Sequence, residues 1–295
     1  MIRKCERLRE KLKKNEIVRG TCFTIISDPI IIQKMDHPDL DFVVLDMEHG
    51  RYDAQNIVPI LNTCRTIGLP TIVRVQDALY HLVAKPLDMG ADGIMLPRTE
   101  TLEQLKTAVD GLCFFPIGRK GNGGIAQLLP GETIEEFNQS RFLMPQIESP
   151  KGIENLPSMI ETYGKHISAI IIGPYDMSVM VGTPCNIYSE IMIDSIKKVF
   201  DICHSYQMSC GIFCNNYSDA IRFRNMGANV LWTGTDGQFL SMGLHNTLSD
   251  LMRDSSRYNS SLLMLQDEDR SKCMALYSNI EQGELTKGEK GKKLE

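Results

Sequence analysis

Eight short apolar runs recur along the chain, at Thr21 to Ile26, Phe42 to Leu45, Thr71 to Val73, Gly93 to Leu96, Phe142 to Ile147, Ala169 to Ile172, Ser209 to Phe213 and Val230 to Trp232. Between them lie stretches with helical spacing, among them Asp53 to Ile67, Ala78 to Met89, Leu102 to Gly111, Lys151 to Tyr163, Ile187 to Tyr206 and Ser218 to Met226. Runs dense in Val, Ile and Leu that alternate with helices indicate a parallel sheet covered on both faces. An open doubly wound sheet has the same period, but eight repeats favour closure. The expected fold is therefore α/β, a (β/α)8 TIM barrel. A barrel of about 250 residues with short extensions accounts for a chain of 295.

Ahead of the first run, Leu8 and Leu12 stand four apart among Lys, Arg and Glu, which predicts an amphipathic N-terminal helix over one end of the barrel. Met89-Gly90-Ala91-Asp92 and Met226-Gly227-Ala228-Asn229 precede the fourth and eighth runs, and each glycine suits a helix C-cap. From Ser255 the chain turns polar, and Gln282 to Glu295 is rich in Lys, Glu and Gly. The expected organisation is a barrel domain over 1–254 and a polar C-terminal tail over 255–295, partly disordered.

A net charge of −5 and a pI near 5.8 leave no electrostatic footprint for nucleic acid or an anionic membrane surface. No apolar run reaches membrane-spanning length, and the N-terminus lacks the apolar core of a secretory leader. A cytoplasmic location is expected. The nine cysteines form no CxxC pair and several sit in apolar runs, so they read as reduced core residues.

In barrel enzymes the chemistry sits at the C-terminal ends of strands. Here the second run leads into Asp46-Met47-Glu48-His49-Gly50, the third into Arg74, the fifth into Gln146-Ile147-Glu148 and the sixth into Gly173-Pro174-Tyr175-Asp176. Glu148 and Asp176, from neighbouring strands, suit a hard divalent cation that keeps positions open for water and substrate. Each alone could pair with an arginine or cap a helix. Gathered together, unpaired carboxylates raise each other's pKa and lower stability, which a structural role explains less well. Arg74 is a permanently charged fork able to stabilise an enolate oxygen, or else to bridge to Asp46 or Glu48. His49 belongs to the residue type that carries protons near neutral pH.

A Schiff-base aldolase needs a lysine in the mouth, and none of these strand ends supplies one. Lys165 precedes the sixth run, at the opposite end, and Lys120 lies in the Gly118 to Gly124 loop. Gly121-x-Gly123-x-x-Ala126 fits the loose dinucleotide fingerprint but follows no N-terminal strand. That loop is expected to be a flexible basic flap that helps to bind an anionic substrate.

Taken in order and spacing, these pieces resemble the HpcH/HpaI aldolase family, which includes 2,4-dihydroxyhept-2-enedioate and 2-keto-3-deoxy-sugar-acid aldolases. The resemblance runs from about Arg19 to Leu248. It rests on Leu45-Asp46-Met47-Glu48-His49-Gly50, Val73-Arg74-Val75, Asp88-Met89-Gly90-Ala91, Met95-Leu96-Pro97, Gly118 to Gly121, Gln146-Ile147-Glu148-Ser149 and Gly173-Pro174-Tyr175-Asp176-Met177-Ser178. It implies that Glu148 and Asp176 hold Mg2+, Mn2+ or Co2+, and that pyruvate or a related 2-keto acid binds there opposite an aldehyde. Arg74 would contact the keto oxygen and His49 would assist proton transfer through water. Gln146 would contact the substrate, and amides around Tyr175 and Asp176 would hold its carboxylate. Asp88 would reach a histidine of a neighbouring subunit, which implies a homo-oligomer, a hexamer or trimer of dimers.

Lys120 stands where the family usually has arginine, and Arg51 where a proline or small residue is common. Both put the aldehyde half in question. The rival readings are a citramalyl-CoA or malyl-CoA lyase, an oxaloacetate decarboxylase, and an inactive barrel serving as an assembly partner.

Overall fold

Strand residues of this protein alternate between two apolar environments, and that alternation builds the barrel. In the computed structural model, which describes residues 4–124 and 126–251, Phe42 and Val44 point inward beside Ile72, Met144 and Val230. Val43 and Leu45 point outward into the layer beneath the helices. Both faces are dry, as a parallel sheet requires.

The strands are β1 (Val18–Phe23), β2 (Phe42–Asp46), β3 (Thr71–Arg74), β4 (Gly93–Leu96), β5 (Phe142–Ile147), β6 (Ile170–Ile172), β7 (Cys210–Cys214) and β8 (Val230–Thr235). They pair in sequence order into a closed barrel, and parallel β1 and β8 complete the ring. The expected (β/α)8 fold is the one observed. Helices α1 (Lys4–Lys13), α2 (Pro29–Met35), α3 (Ala54–Ile67), α4 (Tyr80–Asp88), α5 (Leu102–Leu112) and α6 (Ile134–Ser140) belong to its first half. Helices α7 (Pro150–Tyr163), α8 (Pro174–Met180), α9 (Glu190–Ser205), α10 (Tyr217–Asn225) and α11 (Asp236–Leu251) follow.

Leu8 and Leu12 of α1 join the inner cluster with Val18 and Phe42, so the N-terminal helix stoppers the end of the barrel opposite the C-terminal strand ends. Ser209 Oγ secures it by donating to the Leu12 carbonyl at 2.6 Å. The two Met-Gly-Ala sequences do end helices, with Gly90 at φ 107° and Gly227 at φ 117°, a region that glycine enters without penalty.

Two strand boundaries depart from the apolar runs for one reason. β1 stops at Phe23 because the next three amides turn to Asp236, whose Oδ2 accepts from Thr24, Ile25 and Ile26 N–H at 3.0, 2.9 and 2.8 Å. Its Oδ1 takes the Thr24 hydroxyl at 2.8 Å, and the residue is fully buried. This clasp also explains why β8 runs on to Thr235.

The chain divides into two compact units, residues 1–238 and a second beginning at Phe239. The expected boundary after residue 254, and the tail from 255, lie outside the described residues. No helix among the described residues is long and apolar enough to cross a membrane. Six of the eight cysteines among them are buried, and none is in a disulfide.

Candidate active site

The register of β2 against β3 sets Asp46 beside Arg74 at the barrel mouth. Arg74 Nε donates to Asp46 Oδ1 at 2.9 Å and Nη2 to Oδ2 at 2.6 Å, a two-pronged pair inside a largely buried pocket. Arg74 Nη1 also lies 3.4 Å from Glu48 Oε2. Burial alone would weaken the guanidinium's hold on its proton, but the Asp46 bond outweighs it and keeps Arg74 above its ordinary range. The fork and the bridge are thus one arrangement.

Asp46 also shapes the turn that follows β2, because its Oδ1 accepts from the Glu48 and His49 amides at 3.0 and 3.3 Å. Gly50 is required there, since a Cβ would stand 2.1 Å from the Asp46 carbonyl oxygen. The turn leaves the His49 ring exposed with Nε2 3.8 Å from Glu48 Oε2. Burial raises the Glu48 carboxyl, while Arg74, His49 and Arg98 oppose that rise.

Glu148 stands just past β5 and is nearly dry, 3% exposed. Gln146 Nε2 donates to its Oε1 at 3.0 Å and the Arg98 amide to its Oε2 at 2.8 Å. Arg98 turns to φ 47° in the loop that presents this amide. Gly173 gives the carboxylate room, for a Cβ there would sit 1.8 Å from Glu148 Oε1. Burial pushes the Glu148 carboxyl up to about 7; the Arg98 amide opposes this, and the Asp176 and Glu48 carboxylates add to it.

Asp176 lies in the first turn of α8, where Pro174 opens the helix. Tyr175 precedes it and takes a hydrogen bond from Asn215 Nδ2 on its hydroxyl. His49, Arg74, Gln146, Glu148, Tyr175 and Asp176 line one cavity of about 370 Å³. Among the described residues no lysine lines it, and neither Glu148 nor Asp176 has a cationic side chain within ion-pair distance.

Could a metal ion sit here? No cluster of three or more His, Cys, Asp or Glu side chains among the described residues is arranged to hold one. Two unneutralised carboxylates with the remaining positions open do fit a hard cation that keeps several waters, and do not fit a closed four-ligand zinc site.

Asp88 and Lys120 are not brought to this cavity. They line a separate one of about 740 Å³, beside α4. The Lys120 loop folds down onto α4, and its ammonium donates to Asp88 Oδ1 at 2.6 Å and to the Ala84 carbonyl at 3.2 Å. Its side chain is fully buried, and burial lowers its pKa. The expected flexible flap over the mouth is thus corrected to an anchored loop. Within the chain Asp88 pairs with Lys120 and Gln127, the latter at 2.8 Å.

Asp46 and Trp232 also line the cavity, and Glu48 stands beside Arg74. In sequence, Asp46 and Glu48 stand out only as alternative partners of Arg74, and Trp232 only as a strand residue. Trp232 lies with the Arg74 guanidinium 5.5 Å from its ring centroid.

The sequence model of the HpcH/HpaI aldolase/citrate lyase family matches residues 19–242. The chain belongs to this family. Membership makes this HpcH/HpaI protein a carbon–carbon lyase acting on small molecules. It is 26% identical to a 5-keto-4-deoxy-D-glucarate aldolase of Salmonella paratyphi C (strain RKS4594) over 219 residues, 73% of this chain and 85% of that one. Its fold matches the HpcH/HpaI aldolase from Desulfitobacterium hafniense DCB-2, with TM-score 0.76, 24% identity and coverage of 84% of this chain and 98% of that one. An HpcH/HpaI aldolase/citrate lyase family protein from Burkholderia cenocepacia J2315 gives TM-score 0.77 at 22% identity, with 84% and 99% covered.

Proposed function

We propose that this lyase is a divalent-metal-dependent aldolase that makes or breaks the bond next to a pyruvate enolate, with 2-keto-3-deoxy (4-hydroxy-2-oxo) acids as substrates. One observation carries the reading: among the described residues Glu148 and Asp176 line the mouth cavity with no cationic side chain within ion-pair distance of either, alongside an arginine already held by Asp46. The named Salmonella relative acts on 5-keto-4-deoxy-D-glucarate, which from its keto end has the same carboxylate, keto, deoxy and hydroxyl order.

Glu148 and Asp176 would hold the cation, with Mg2+, Mn2+ and Co2+ as candidates. When bound, it supplies positive charge that polarises the keto group and lowers the barrier to the enolate. Arg74 presents its N–H groups to the keto oxygen, and Asp46 keeps that donor in place so that little reorganisation accompanies the charge change. The first-turn amides of Tyr175 and Asp176, which lack acceptors within α8, are assigned the substrate carboxylate, with Gln146 alongside. In cleavage the C4 hydroxyl gives up its proton, the C3–C4 electron pair passes into the enolate, and C3 then takes a proton to give pyruvate. His49, exposed at the mouth, relays these protons through water.

The same proposal includes a homo-oligomer. Asp88 bonds through Oδ1 alone among the described residues, which leaves Oδ2 for an imidazole of a neighbouring copy.

A chelator should stop retro-aldol cleavage and metal-dependent exchange of pyruvate methyl protons with deuterated solvent, and added Mg2+ or Mn2+ should restore both. Exchange that survives metal removal and is lost to a borohydride-reduced pyruvate adduct would establish lysine chemistry instead.

A further inference from the structure

Trp232 is the chain's one tryptophan, and it faces into the barrel from β8, 2% exposed. Phe213 packs edge-on against it at 4.9 Å between ring centroids, and the Arg74 guanidinium lies over the indole, 5.5 Å from its ring centroid. The indole lines the same cavity as Glu148 and Asp176. Its Nε1–H is buried and has no hydrogen-bond partner. An indole nitrogen can only donate, and tryptophans that are buried almost always satisfy that donor. Phe42 and Phe142 show that this interior accepts phenylalanine where filling is all that is needed. A tryptophan with an idle donor beside a fixed cation calls for an anionic acceptor that arrives from outside.

We infer that Trp232 is a ligand-binding residue whose indole N–H donates a hydrogen bond to an oxygen of the bound 2-keto acid, on the oxygen shared with or adjacent to Arg74. The inference rests on the keto-acid reading of the cavity and adds a specificity device to it. A donor-only group beside a guanidinium favours a charged oxygen over a hydroxyl or an apolar group. Gln146 Oε1 is the second buried polar atom of this cavity without a partner. It is an acceptor, so a water spanning Trp232 Nε1 and Gln146 Oε1 is the competing explanation.

A single tryptophan makes the test direct, because the 15N-labelled full-length protein has one indole N–H resonance. In the presence of Mg2+, pyruvate should move that proton downfield, saturating at the affinity given by calorimetry. Trp232→Phe, which keeps an aromatic face for Arg74, should bind pyruvate about tenfold more weakly, as expected for one hydrogen bond to a charged group, with Mg2+ affinity unchanged. A resonance that stays in place while calorimetry shows pyruvate saturating the wild type assigns the donor to water and overturns the inference alone. Equal pyruvate affinity in wild type and Trp232→Phe does the same. Absence of pyruvate binding to the Mg2+-loaded wild type overturns the keto-acid reading and the inference together. Should Trp232→Phe fail to fold, the wild-type resonance decides by itself.

Discussion

Arg74 and Asp46 form a two-pronged pair, at 2.9 and 2.6 Å, that fixes the guanidinium at the barrel mouth. A donor aimed in advance is worth more to a developing enolate than one that must reorient. Arg74→Lys should stay folded yet lower turnover by a factor on the order of 10² to 10³, because an ammonium cannot reproduce the fork. Asp46→Asn should give a smaller loss, on the order of tenfold, since it keeps one acceptor. Steady-state kinetics on both, with circular dichroism as a fold control, checks the order; near wild-type turnover in Arg74→Lys would make that residue structural.

Glu148→Ala and Asp176→Ala should each abolish tight Mg2+ or Mn2+ binding, because these two carboxylates are the protein anchors of the proposed site. Calorimetric titration of each variant tests this. Wild-type affinity in either one removes that residue from the metal site.

Metal binding should also titrate with Glu148. Its carboxyl is raised to about 7 from an ordinary 4.5, so below neutrality a proton occupies the oxygen that a metal needs. Affinity should therefore fall about tenfold between pH 8 and pH 6, with close to one proton released on binding at pH 6. The stability linkage has the opposite sign. A raised folded-state value favours the unliganded fold at low pH, and this contribution is lost as pH rises through 7. Affinity that is flat across the window would show Glu148 already ionised.

Asp236→Ala strands the Thr24, Ile25 and Ile26 amides, which converge on a fully buried carboxylate in a partly buried turn. The expected loss is about 3 kcal/mol, a cost of about 1 to 3 kcal/mol per unsatisfied buried group being partly relieved by water entering the turn. A lowered urea midpoint checks it. A shift worth less than about 0.5 kcal/mol would mean the turn re-pairs on its own.

The barrel was legible because its signal is local: runs of three to six residues suffice to mark a strand buried on both faces, and Phe142 to Ile147 marks β5 residue for residue. The β1 boundary was not, because it depends on a carboxylate 212 positions away. Short helices such as α2 and α8, seven residues each, carry too few apolar positions to show a period. Within the cavity, residues directly after strands were found by position alone. Trp232 was missed because an inward indole and a core indole look the same in sequence. The course of the Lys120 loop is not legible in sequence, because it is set by a bond to Asp88, 32 positions away.

The clasp between Asp236 and Thr24 joins the last strand to the first across 212 residues, so the ring has no local route to closure. During synthesis at about 5 to 20 residues per second, β1 waits on the order of 10 to 40 s for its final neighbour. Through that interval the nascent chain is an unclosed sheet with β1 bare along one side, able to pair with any other extended segment nearby. A ribosome that stalls between the codons for Asp176 and Val230 would release a fragment holding Asp46, Arg74, Glu148 and Asp176 and none of the β8 residues that seal the ring.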